Sequence, residues 1–307
     1  MSKSVAVLMG GWSAERDISL ISGRECARAL KSVGYEVRAI DVTRDLRALL
    51  AALTPAPDVA FNALHGRGGE DGTIQSLLEL MRIPYTHSGV LASAVAMDKP
   101  TAKLVFAAAG LPLAESVVVA RSDIAKGDPM QRPFVVKPVN EGSSVGVRIV
   151  RCGDQDWARE IAAWPFGERA MVERYVPGRE ITVAVMGERA LGALEIRPAS
   201  GTLYDYAAKY APGGSVHVTP APIEASAYRA ALDIALKAHH ALGCRGVSRA
   251  DLRYDDTEGE PGRMVLLEVN TQPGMTPTSL VPEIAAYAGI SFAELVRWMV
   301  ENAACDS

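Results

Sequence analysis

The feature of the sequence that most constrains its fold is a change in the order of secondary structure along the chain. In the first part, residues 5–9, 35–41 and 58–64 have the composition of strands, with a helical segment after the first strand and another after the third. We expect the first helix to be capped by Ser13 and to stop at Gly34. Strands and helices that alternate with short links predict a doubly wound domain with a parallel sheet.

After a helix predicted around residues 98–110, strands dominate the sequence. They are, in order, SVVVA, PFVVKP, VGVRIV, AMVERYV, EITVAVM and RALGALEI, and the Gly- or Pro-containing turns between them predict antiparallel pairing. The polar segment 197–217 interrupts this pattern, and we interpret it as a long functional loop. A helix at 225–242, two strands and two further helices follow it.

Length and composition narrow the class of protein. A chain of 307 residues, 49% of them apolar, is large enough for two or three domains with ordinary cores. With 32 Lys+Arg against 36 Asp+Glu and no basic block, nucleic acid and anionic membranes are not expected partners. The four cysteines are scattered without CxxC spacing, so free thiols are expected. The N-terminus does not resemble a signal peptide and no apolar stretch is long enough to span a bilayer, so we expect a cytoplasmic protein.

The strand predicted at residues 264–270 interrupts its own apolar run with two polar side chains. Glu268 and Asn270 are two positions apart, so both project from the same face of an extended chain. The strand before it carries Arg249 and Asp251 at the same spacing. A hairpin would bring Asp251 beside Glu268 and Asn270, and three oxygen donors without Cys or His suit Mg²⁺ that is shared with phosphate. Arg249 would then face an anion or a developing oxyanion. The alternative for the whole polar cluster is the solvated face of an edge strand.

A second polar cluster lies around the strand FVVKP. Lys137 ends this apolar strand, where an ammonium group is costly unless it meets an anion. The loop that follows, NEGSSVG, supplies glycines and serines whose N–H groups and hydroxyls can surround phosphate oxygens. It is not a Walker loop, because no G-K-[ST] follows the glycines. The alternative is an ordinary hairpin loop with an extended lysine at its rim.

Three more carboxylates and one histidine are candidate site residues. Glu173 and Glu180 flank a Pro-Gly break between two strands, where the strand edge offers hydrogen bonds to a flat base, although solvated glutamates are the alternative. Glu15 lies in the first turn of the first helix, where compensation of the helix dipole is the simplest explanation. His65 ends a strand before a Gly-rich loop, which is where open α/β sheets bind ligands, but a structural role is equally open.

Together these motifs resemble one family along nearly the whole chain. The matching stretches are GGWSAERDISLISG, ALHGRGGEDGTIQSLLELMRIPYTHSG, MDK, VVKPVNEGSSVG, YDYAAKY and EVNTQPGMTPTSLVP. They are similar to the D-alanine–D-alanine ligases of the ATP-grasp superfamily. The resemblance implies an α/β and α+β protein: a doubly wound, parallel-sheet, substrate-binding domain (1–95) followed by a two-lobed ATP-grasp fold. We place its small lobe at 96–180, its large lobe at 181–307, and a lid at about 197–217.

The resemblance also implies a reaction. Members of this family use ATP to join two D-alanine molecules for peptidoglycan synthesis. ATP phosphorylates the carboxylate of the first D-alanine, and the amine of the second attacks the D-alanyl phosphate through a tetrahedral intermediate, which releases ADP and phosphate. Two Mg²⁺ ions, for which Mn²⁺ may substitute, and a homodimer are implied as well. Because water would hydrolyse the acyl phosphate, the reaction needs a lid.

Residues at the matching positions take the roles that the family implies. The phosphates of ATP are contacted by three lysines, Lys99, Lys137 and Lys209. The adenine and ribose are contacted by Glu173, the backbone near Val176, and Glu180. The Mg²⁺ ligands are Asp251, Glu268 and Asn270. The D-alanine and oxyanion contacts are Glu15 with Ser143 and Tyr210 for the first ammonium, His65 in the substrate-binding loop, Arg249 and the Gly274 N–H for the oxyanion, and Ser279 for the second carboxylate.

Two residues depart from the usual family pattern. Ala207 stands where many members have Glu in YDYEAKY, and Gln272 occupies a variable position before the Pro-Gly pair. Tyr210 resembles the dipeptide-forming members rather than those that make D-alanyl-D-lactate. A ligase with a hydroxy acid as second substrate and a non-catalytic ATP-binding regulator are the alternative functions, and the intact set of charged site residues argues against the regulator.

Overall fold

The computed structural model describes residues 3–199, 213–277 and 279–306. Its first part contains the strands β1 (Ser4–Gly10), β2 (Glu36–Val42) and β3 (Val59–Asn62) and the helices α1 (Arg16–Ser32), α2 (Leu46–Ala52) and α3 (Thr73–Met81). The strands form a parallel sheet in the order β2-β1-β3, so the parallel sheet predicted here is confirmed. The sequence pattern did not indicate α2, because this short helix buries only one residue and has little periodicity.

Helices cover both faces of this parallel sheet. Val5 and Val7 of β1 belong to the same core cluster as the buried residues of α1. Ala6 and Leu8, which point the other way, share a second cluster with residues of α2 and α3. A central strand that is buried on both faces needs apolar residues at every position, which explains its unbroken apolar run.

The start of α1 differs from the expectation for Ser13. The helix begins at Arg16, Glu15 occupies the N-cap position, and no side chain caps the helix. The Ser13 hydroxyl instead donates a hydrogen bond to the carbonyl oxygen of His65 at 2.7 Å and accepts one from the Glu15 N–H at 3.1 Å. The prediction that Ser13 caps α1 was wrong, because Ser13 binds the neighbouring loop two residues before the cap position.

The middle of the chain begins with two helices, α4 (Val90–Met97) and α5 (Lys99–Ala108), of which only the second was predicted. A small antiparallel sheet follows in the order β4-β7-β5-β6. Its strands are β4 (Ser116–Ala120), β5 (Phe134–Pro138), β6 (Arg148–Val150) and β7 (Arg169–Arg174), with helix α6 (Trp157–Ala162) between the last two.

A larger antiparallel sheet has the order β10-β9-β8-β11-β12. Its strands are β8 (Arg179–Met186), β9 (Arg189–Pro198), β10 (Ser215–Val218), β11 (Val247–Asp255) and β12 (Arg263–Asn270), and its helices are α7 (Ala225–Ala241), α8 (Leu280–Tyr287) and α9 (Phe292–Glu301). The strand pattern correctly predicted antiparallel pairing, but the division into two sheets was implied only by the family resemblance. The interpretation of residues 197–217 as a loop was wrong at both ends of that segment, because β9 extends to Pro198 and β10 pairs with it.

Both faces of the larger sheet are covered. Helix α7 and residues Ala102 and Phe106 of α5 share one core with one face of the sheet. On the other face, Ala184 and Leu194 share a core with α8 and α9, and this core continues into α1 and β1 of the parallel-sheet region. The C-terminal helices therefore pack the larger sheet against the first part of the chain.

Two properties of the described residues bear on the expected environment. Within the described ranges, no helix combines the length and apolar character needed to cross a membrane. All four cysteines are free thiols, as expected from their spacing.

Candidate active site

Two cavities lie next to each other, one of about 350 Å³ and one of about 110 Å³. Residues Lys99, Glu141 and Glu268 line both of them, so the cavities adjoin at these side chains. The larger cavity lies between the parallel-sheet region and the larger antiparallel sheet. The smaller one lies between the two antiparallel sheets.

The predicted β11–β12 hairpin forms the wall where the cavities meet. Asp251 is the register partner of Glu268, and Arg249 is the partner of Asn270, which confirms the pairing expected from the two polar interruptions. The ladder shifts register directly after Asp251. Each strand thus presents its two polar side chains on the side of the sheet that the cavities occupy.

Asp251 is held by two neighbours. Arg249 donates to both of its carboxylate oxygens, from Nε at 2.8 Å and from Nη2 at 2.6 Å. The Thr182 hydroxyl of the adjacent strand β8 donates to Asp251 Oδ1 at 2.7 Å. A bidentate guanidinium pair of this kind fixes the orientation of the carboxylate as well as its charge.

Of the other two oxygen donors of the hairpin, Glu268 lies beside Lys99. Its ammonium is 3.5 Å from Glu268 Oε2 and donates to the carbonyl oxygen of Glu141 at 2.6 Å. Asn270 Oδ1 accepts a hydrogen bond from the Gln272 N–H at 2.8 Å, which fixes the orientation of the amide.

These donors fit one kind of metal. Two carboxylates and an amide on paired strands are hard oxygen ligands, which suit Mg²⁺ or Mn²⁺. Among the described residues, no group of three or more His, Cys, Asp or Glu side chains could hold a metal ion by itself. A divalent ion bound here would need further ligands from a phosphate or water, as Mg²⁺ commonly has in nucleotide sites.

A buried charge cluster forms the inner wall of the smaller cavity. Glu173, which is 2% exposed, accepts hydrogen bonds from the ammonium groups of Lys103 and Lys137, the latter at 2.6 Å. Lys103 also donates to the carbonyl oxygen of Ala114 at 2.7 Å. Two ammonium groups around one carboxylate leave a positive charge that faces the cavity.

The pKa values of this cluster follow from burial and pairing. Burial by itself would raise the pKa of Glu173, but Lys137 and Lys103 overcome it and lower the pKa. Burial lowers the pKa of Lys103 despite the attraction of Glu173. Burial by itself would also lower the pKa of Lys137, but Glu173 and Glu268 outweigh burial and raise that pKa. Lys137, which feels two carboxylates, is therefore the more firmly protonated lysine.

The outer end of the smaller cavity is lined by Val176, Glu180 and Arg253. Arg253 donates from Nε to the carbonyl oxygen of Val176 at 3.1 Å, and its Nη1 is 3.8 Å from Glu180 Oε2. The guanidinium thus joins the linker between β7 and β8 to strand β11. The Val176 carbonyl oxygen has two lone pairs, so the bond from Arg253 leaves it able to accept one more hydrogen bond.

The loop after β5 closes the cavity end near Glu15. Ser143 and Ser144 adopt positive φ angles of 50° and 56°, which are uncommon for residues other than glycine. The Ser143 hydroxyl donates to Glu15 Oε1. A Cβ atom at Gly142 would lie 3.0 Å from Glu15 Oε2, and one at Gly66 would lie 2.8 Å from the same atom. Both backbones therefore approach the carboxylate closely because they lack side chains.

His65 lies next to Glu15 in the larger cavity and is buried. Its Nδ1 is 3.3 Å from Glu70 Oε1 and its Nε2 is 3.2 Å from the Ser22 hydroxyl. Glu15 and His65 both follow the carboxyl ends of strands in the parallel sheet, where such sheets bind ligands. The sequence analysis missed Glu70, although it lies in the same Gly-rich loop as His65.

The opposite end of the larger cavity is formed by the turn after β12 and the start of α8. The Ser279 hydroxyl accepts a hydrogen bond from the Thr276 N–H at 3.0 Å and lies 2.7 Å from the Thr276 hydroxyl. A Cβ atom at Gly274 would lie 3.0 Å from Ser279 Oγ, so this turn also requires a small residue. His217 lines the same end, and its Nδ1 is 2.8 Å from Glu283 Oε2.

The structure brings most of the predicted site residues together. Lys209 and Tyr210, with Ala207 and most of the proposed lid, lie outside the described residues. The others line one or both of the cavities: Glu15, His65, Lys99, Lys137, Ser143, Glu173, Val176, Glu180, Arg249, Asp251, Glu268, Asn270, Gly274 and Ser279. Their individual roles stay predictions.

Several residues that line the two cavities or contact their lining were not indicated by the sequence. Lys103 is one helical turn after Lys99 on α5, and this i, i+4 spacing was the available signal. Arg253 continues the alternation of Arg249 and Asp251 along β11, so the same strand-face argument would have found it. His217 and Glu283 are 66 positions apart and share no local pattern.

The fold defines the class of protein. It matches the solved D-alanine–D-alanine ligase from Bacillus anthracis in complex with ATP with a TM-score of 0.80 at 28% identity, over 98% of this chain and 97% of that one. The VanG D-Ala:D-Ser ligase from Enterococcus faecalis gives 0.80 at 29% identity, over 98% of this chain and 99% of that one. The protein has the two-lobed ATP-grasp fold behind an N-terminal α/β region, as the resemblance implied.

The sequence comparisons narrow this class to a family. Residues 49–88 match the family described as D-ala D-ala ligase N-terminus, and residues 105–301 match D-ala D-ala ligase C-terminus. A D-alanine–D-alanine ligase from Granulibacter bethesdensis is 59% identical over 303 residues, which cover 99% of this chain and 98% of that protein. The chain belongs to the D-alanine–D-alanine ligase family.

Proposed function

We propose that the protein joins two D-alanine molecules to D-alanyl-D-alanine, with ATP converted to ADP and phosphate, for peptidoglycan synthesis. The observation that carries this proposal is the junction of the two cavities at Lys99 and Glu268. A nucleotide in the smaller cavity would point its phosphates at this junction. A carboxylate bound in the larger cavity would meet them there.

The smaller cavity suits ATP. Lys137 and Lys99 supply positive charge to the phosphates, and we assign the same role to Lys209. The backbone near Val176 and the carboxylates of Glu173 and Glu180 would bind the adenine and the ribose. The Bacillus anthracis ligase of similar fold was solved in complex with ATP, which supports a nucleotide in this fold.

Asp251, Glu268 and Asn270 would hold two Mg²⁺ ions, or Mn²⁺ in their place, together with the phosphates. Metal bound there would neutralise phosphate charge and align the transferred phosphoryl group. Lys99, which is 3.5 Å from Glu268, adds a cation at the same place. The chain thus gathers its positive charges where phosphoryl transfer to a carboxylate needs them.

The larger cavity suits two small amino acids end to end. We propose that Glu15, positioned by Ser143 and Tyr210, binds the ammonium of the first D-alanine beside His65. The carboxylate of this first D-alanine would then lie near Arg249. Arg249 and the Gly274 N–H would stabilise the tetrahedral oxyanion. Ser279, at the far end, would bind the carboxylate of the second D-alanine.

The deciding experiment measures ADP release by the purified protein with ATP, Mg²⁺ and D-alanine, with the product identified by mass spectrometry. We expect one ADP for each D-alanyl-D-alanine formed, and no comparable release with L-alanine. A protein that binds ATP but releases no phosphate with D-alanine would favour the non-catalytic regulator.

The second substrate needs its own test, because the VanG enzyme of similar fold is a D-Ala:D-Ser ligase. The same assay is run with D-alanine together with equal D-serine or D-lactate at neutral pH. We expect D-alanyl-D-alanine as the main product. A depsipeptide with D-lactate as the dominant product would show that the acceptor is a hydroxy acid.

We further propose a cytoplasmic homodimer that associates through an exposed apolar face of three successive helices. Leu80 of α3, Leu91 of α4 and Leu104 of α5 are 85%, 73% and 73% exposed. Helix α4 contacts both α3 and α5, and a contiguous apolar patch made of these side chains would mark a protein–protein interface. Light scattering should give twice the monomer mass, and Leu91→Glu should give a monomer. Dimers that survive in Leu80→Glu, Leu91→Glu and Leu104→Glu would contradict this face.

A further inference from the structure

Gln272 is a buried link between two distant parts of the chain. It lies in the turn directly after β12 and is 1% exposed. Its Nε2 donates to the carbonyl oxygens of Asn62 at 2.7 Å and Leu64 at 2.8 Å, and its Oε1 accepts from Asn62 Nδ2 at 2.8 Å. Both hydrogens and the oxygen of the amide are therefore used, by a strand end that is 210 positions away in sequence.

The Asn62 side chain extends this link into the loop of His65. Asn62 is fully buried at the end of β3, and its Nδ2 also donates to the carbonyl oxygen of Gly69 at 3.0 Å. Its Oδ1 accepts from the Leu64 N–H at 3.1 Å. The loop 65–72, which carries His65 and Glu70, is thus tied through Asn62 to Gln272.

On its other side Gln272 contacts the β11–β12 hairpin. Its backbone N–H donates to Asn270 Oδ1 at 2.8 Å, and the same turn leads to Gly274 two residues later. One residue therefore connects an oxygen donor of the hairpin, the turn with the Gly274 N–H, and the strand end that leads to the His65 loop.

We propose that Gln272 is a positioning residue that holds the turn 271–274 and the loop 65–72 in a fixed relation, so that the first amino acid and the oxyanion donor are aligned for acyl transfer. This inference rests on the proposed function. Misplacing reacting groups by about 1 Å lowers a rate by roughly 100-fold, and breaking these bonds would leave buried polar groups unpaired. The position that varies in the family pattern thus has a defined task in this chain.

The test compares Gln272→Met with Gln75→Met. Gln75 is equally buried, on α3, and its Nε2 donates to the carbonyl oxygen of Gly69 at 2.8 Å. It makes a matched control because it anchors the same loop. Unlike Gln272, it makes no hydrogen bond through its Oε1 among the described residues. Methionine keeps the length of the side chain in both variants and removes the amide.

Steady-state kinetics is measured with ATP and D-alanine varied separately. For Gln272→Met we expect kcat to fall roughly 10- to 100-fold with the KM for ATP within twofold of wild type, and for Gln75→Met kcat within threefold. Asn62→Leu should lower kcat similarly, and the double variant Asn62→Leu/Gln272→Met should lose little more than either single variant, since both remove one link. The inference is overturned if Gln272→Met keeps kcat within threefold, if Gln75→Met loses as much, or if the loss falls on the KM for ATP.

Hydrogen–deuterium exchange separates this inference from the proposed function. In Gln272→Met, amide exchange should rise together in 62–72 and 271–276, whereas Gln75→Met should affect 62–72 alone. If the wild-type protein forms no D-alanyl-D-alanine, the proposed function fails, while exchange still tests the link. Unchanged exchange at 62–72 in Gln272→Met would overturn the inference. If Gln272→Met does not fold, Gln272→Asn, which keeps a shorter amide, takes its place with the same expectations.

Discussion

The two cavities that meet at Glu268 are built in different ways. The smaller cavity is walled by neighbouring strands, and its main charges pair with one another, with Glu173 between Lys103 and Lys137. The larger cavity is assembled from segments far apart in sequence, such as Glu15 and its hydrogen-bond donor 128 positions later. The proposed nucleotide end therefore depends on charge pairing between adjacent strands and helix α5, whereas the proposed amino-acid end depends on hydrogen bonds between segments that are still farther apart in sequence.

The largest effect is expected where the two cavities join. Glu268→Gln keeps the shape of the side chain and removes a carboxylate beside Lys99, so turnover should fall about 1,000-fold with the fold retained. Mg²⁺-dependent ADP release and thermal unfolding measure the two properties. Glu258→Gln, at an exposed position in the turn of the same hairpin, is the control and should behave as wild type. Near-normal turnover of Glu268→Gln would remove the metal assignment.

The next effect tests the charge pairing of the smaller cavity. Glu173→Gln removes the carboxylate that two buried ammonium groups share, which should lower the free energy of unfolding by about 3 kcal/mol. Chemical denaturation measures this change at neutral pH. Glu168→Gln, at an exposed position just before β7, should change it by less than about 0.5 kcal/mol. Equal stability of the two variants would show that the cluster contributes nothing to folding.

The pH dependence of that difference has a defined sign. The pKa of Glu173 is lowered in the folded protein, because the two lysines outweigh burial. Its stabilising contribution is present above the unfolded value near 4.5 and is lost as the pH falls through the lower folded pKa. The gap in unfolding free energy between wild type and Glu173→Gln should therefore shrink in acid. A gap that widens below pH 4.5 would contradict the assignment.

A smaller and more selective effect is expected at the amino-acid end. Glu15→Gln removes the charge that would bind the first ammonium, so the KM for the first D-alanine should rise about tenfold with ATP binding spared. Initial rates over a wide range of D-alanine concentration measure the KM for D-alanine, and calorimetry measures the affinity for the nucleotide. Glu25→Gln, farther along α1, is the control. A selective loss of ATP affinity in Glu15→Gln would show that Glu15 is assigned to the wrong cavity.

The same contrast explains which parts of the site could be predicted from sequence. The β11–β12 hairpin could be predicted, because alternation along a strand fixes which side chains share a face. Asp251 does pair with Glu268. Lys137 could be predicted as a site residue, because a lysine that ends a buried strand needs an anion. The partners Lys103 and Glu70 were missed, since nothing local specifies which buried groups will meet.

The error at Ser13 and the unexpected contacts of Gln272 have one cause. Serine before a helix is a good capping residue, but here its hydroxyl binds the His65 carbonyl oxygen of a neighbouring loop. Gln272 looked like a residue in a variable turn, yet its amide is buried against the end of β3. In both cases a hydrogen bond between distant segments decided the role of the side chain.

The sequence by itself determined most of the strands and helices, the antiparallel hairpin with its polar face, and, through its motifs, the family. These follow from periodicity and from residue types at fixed spacing, which act over a few neighbours. Only the tertiary structure decided that the antiparallel strands divide around a charged cleft, that Glu173 has two lysines, and that Gln272 joins the two ends of the larger cavity. Such pairings depend on which segments lie together once the chain has packed, and a buried polar group must bind whichever partner that packing provides.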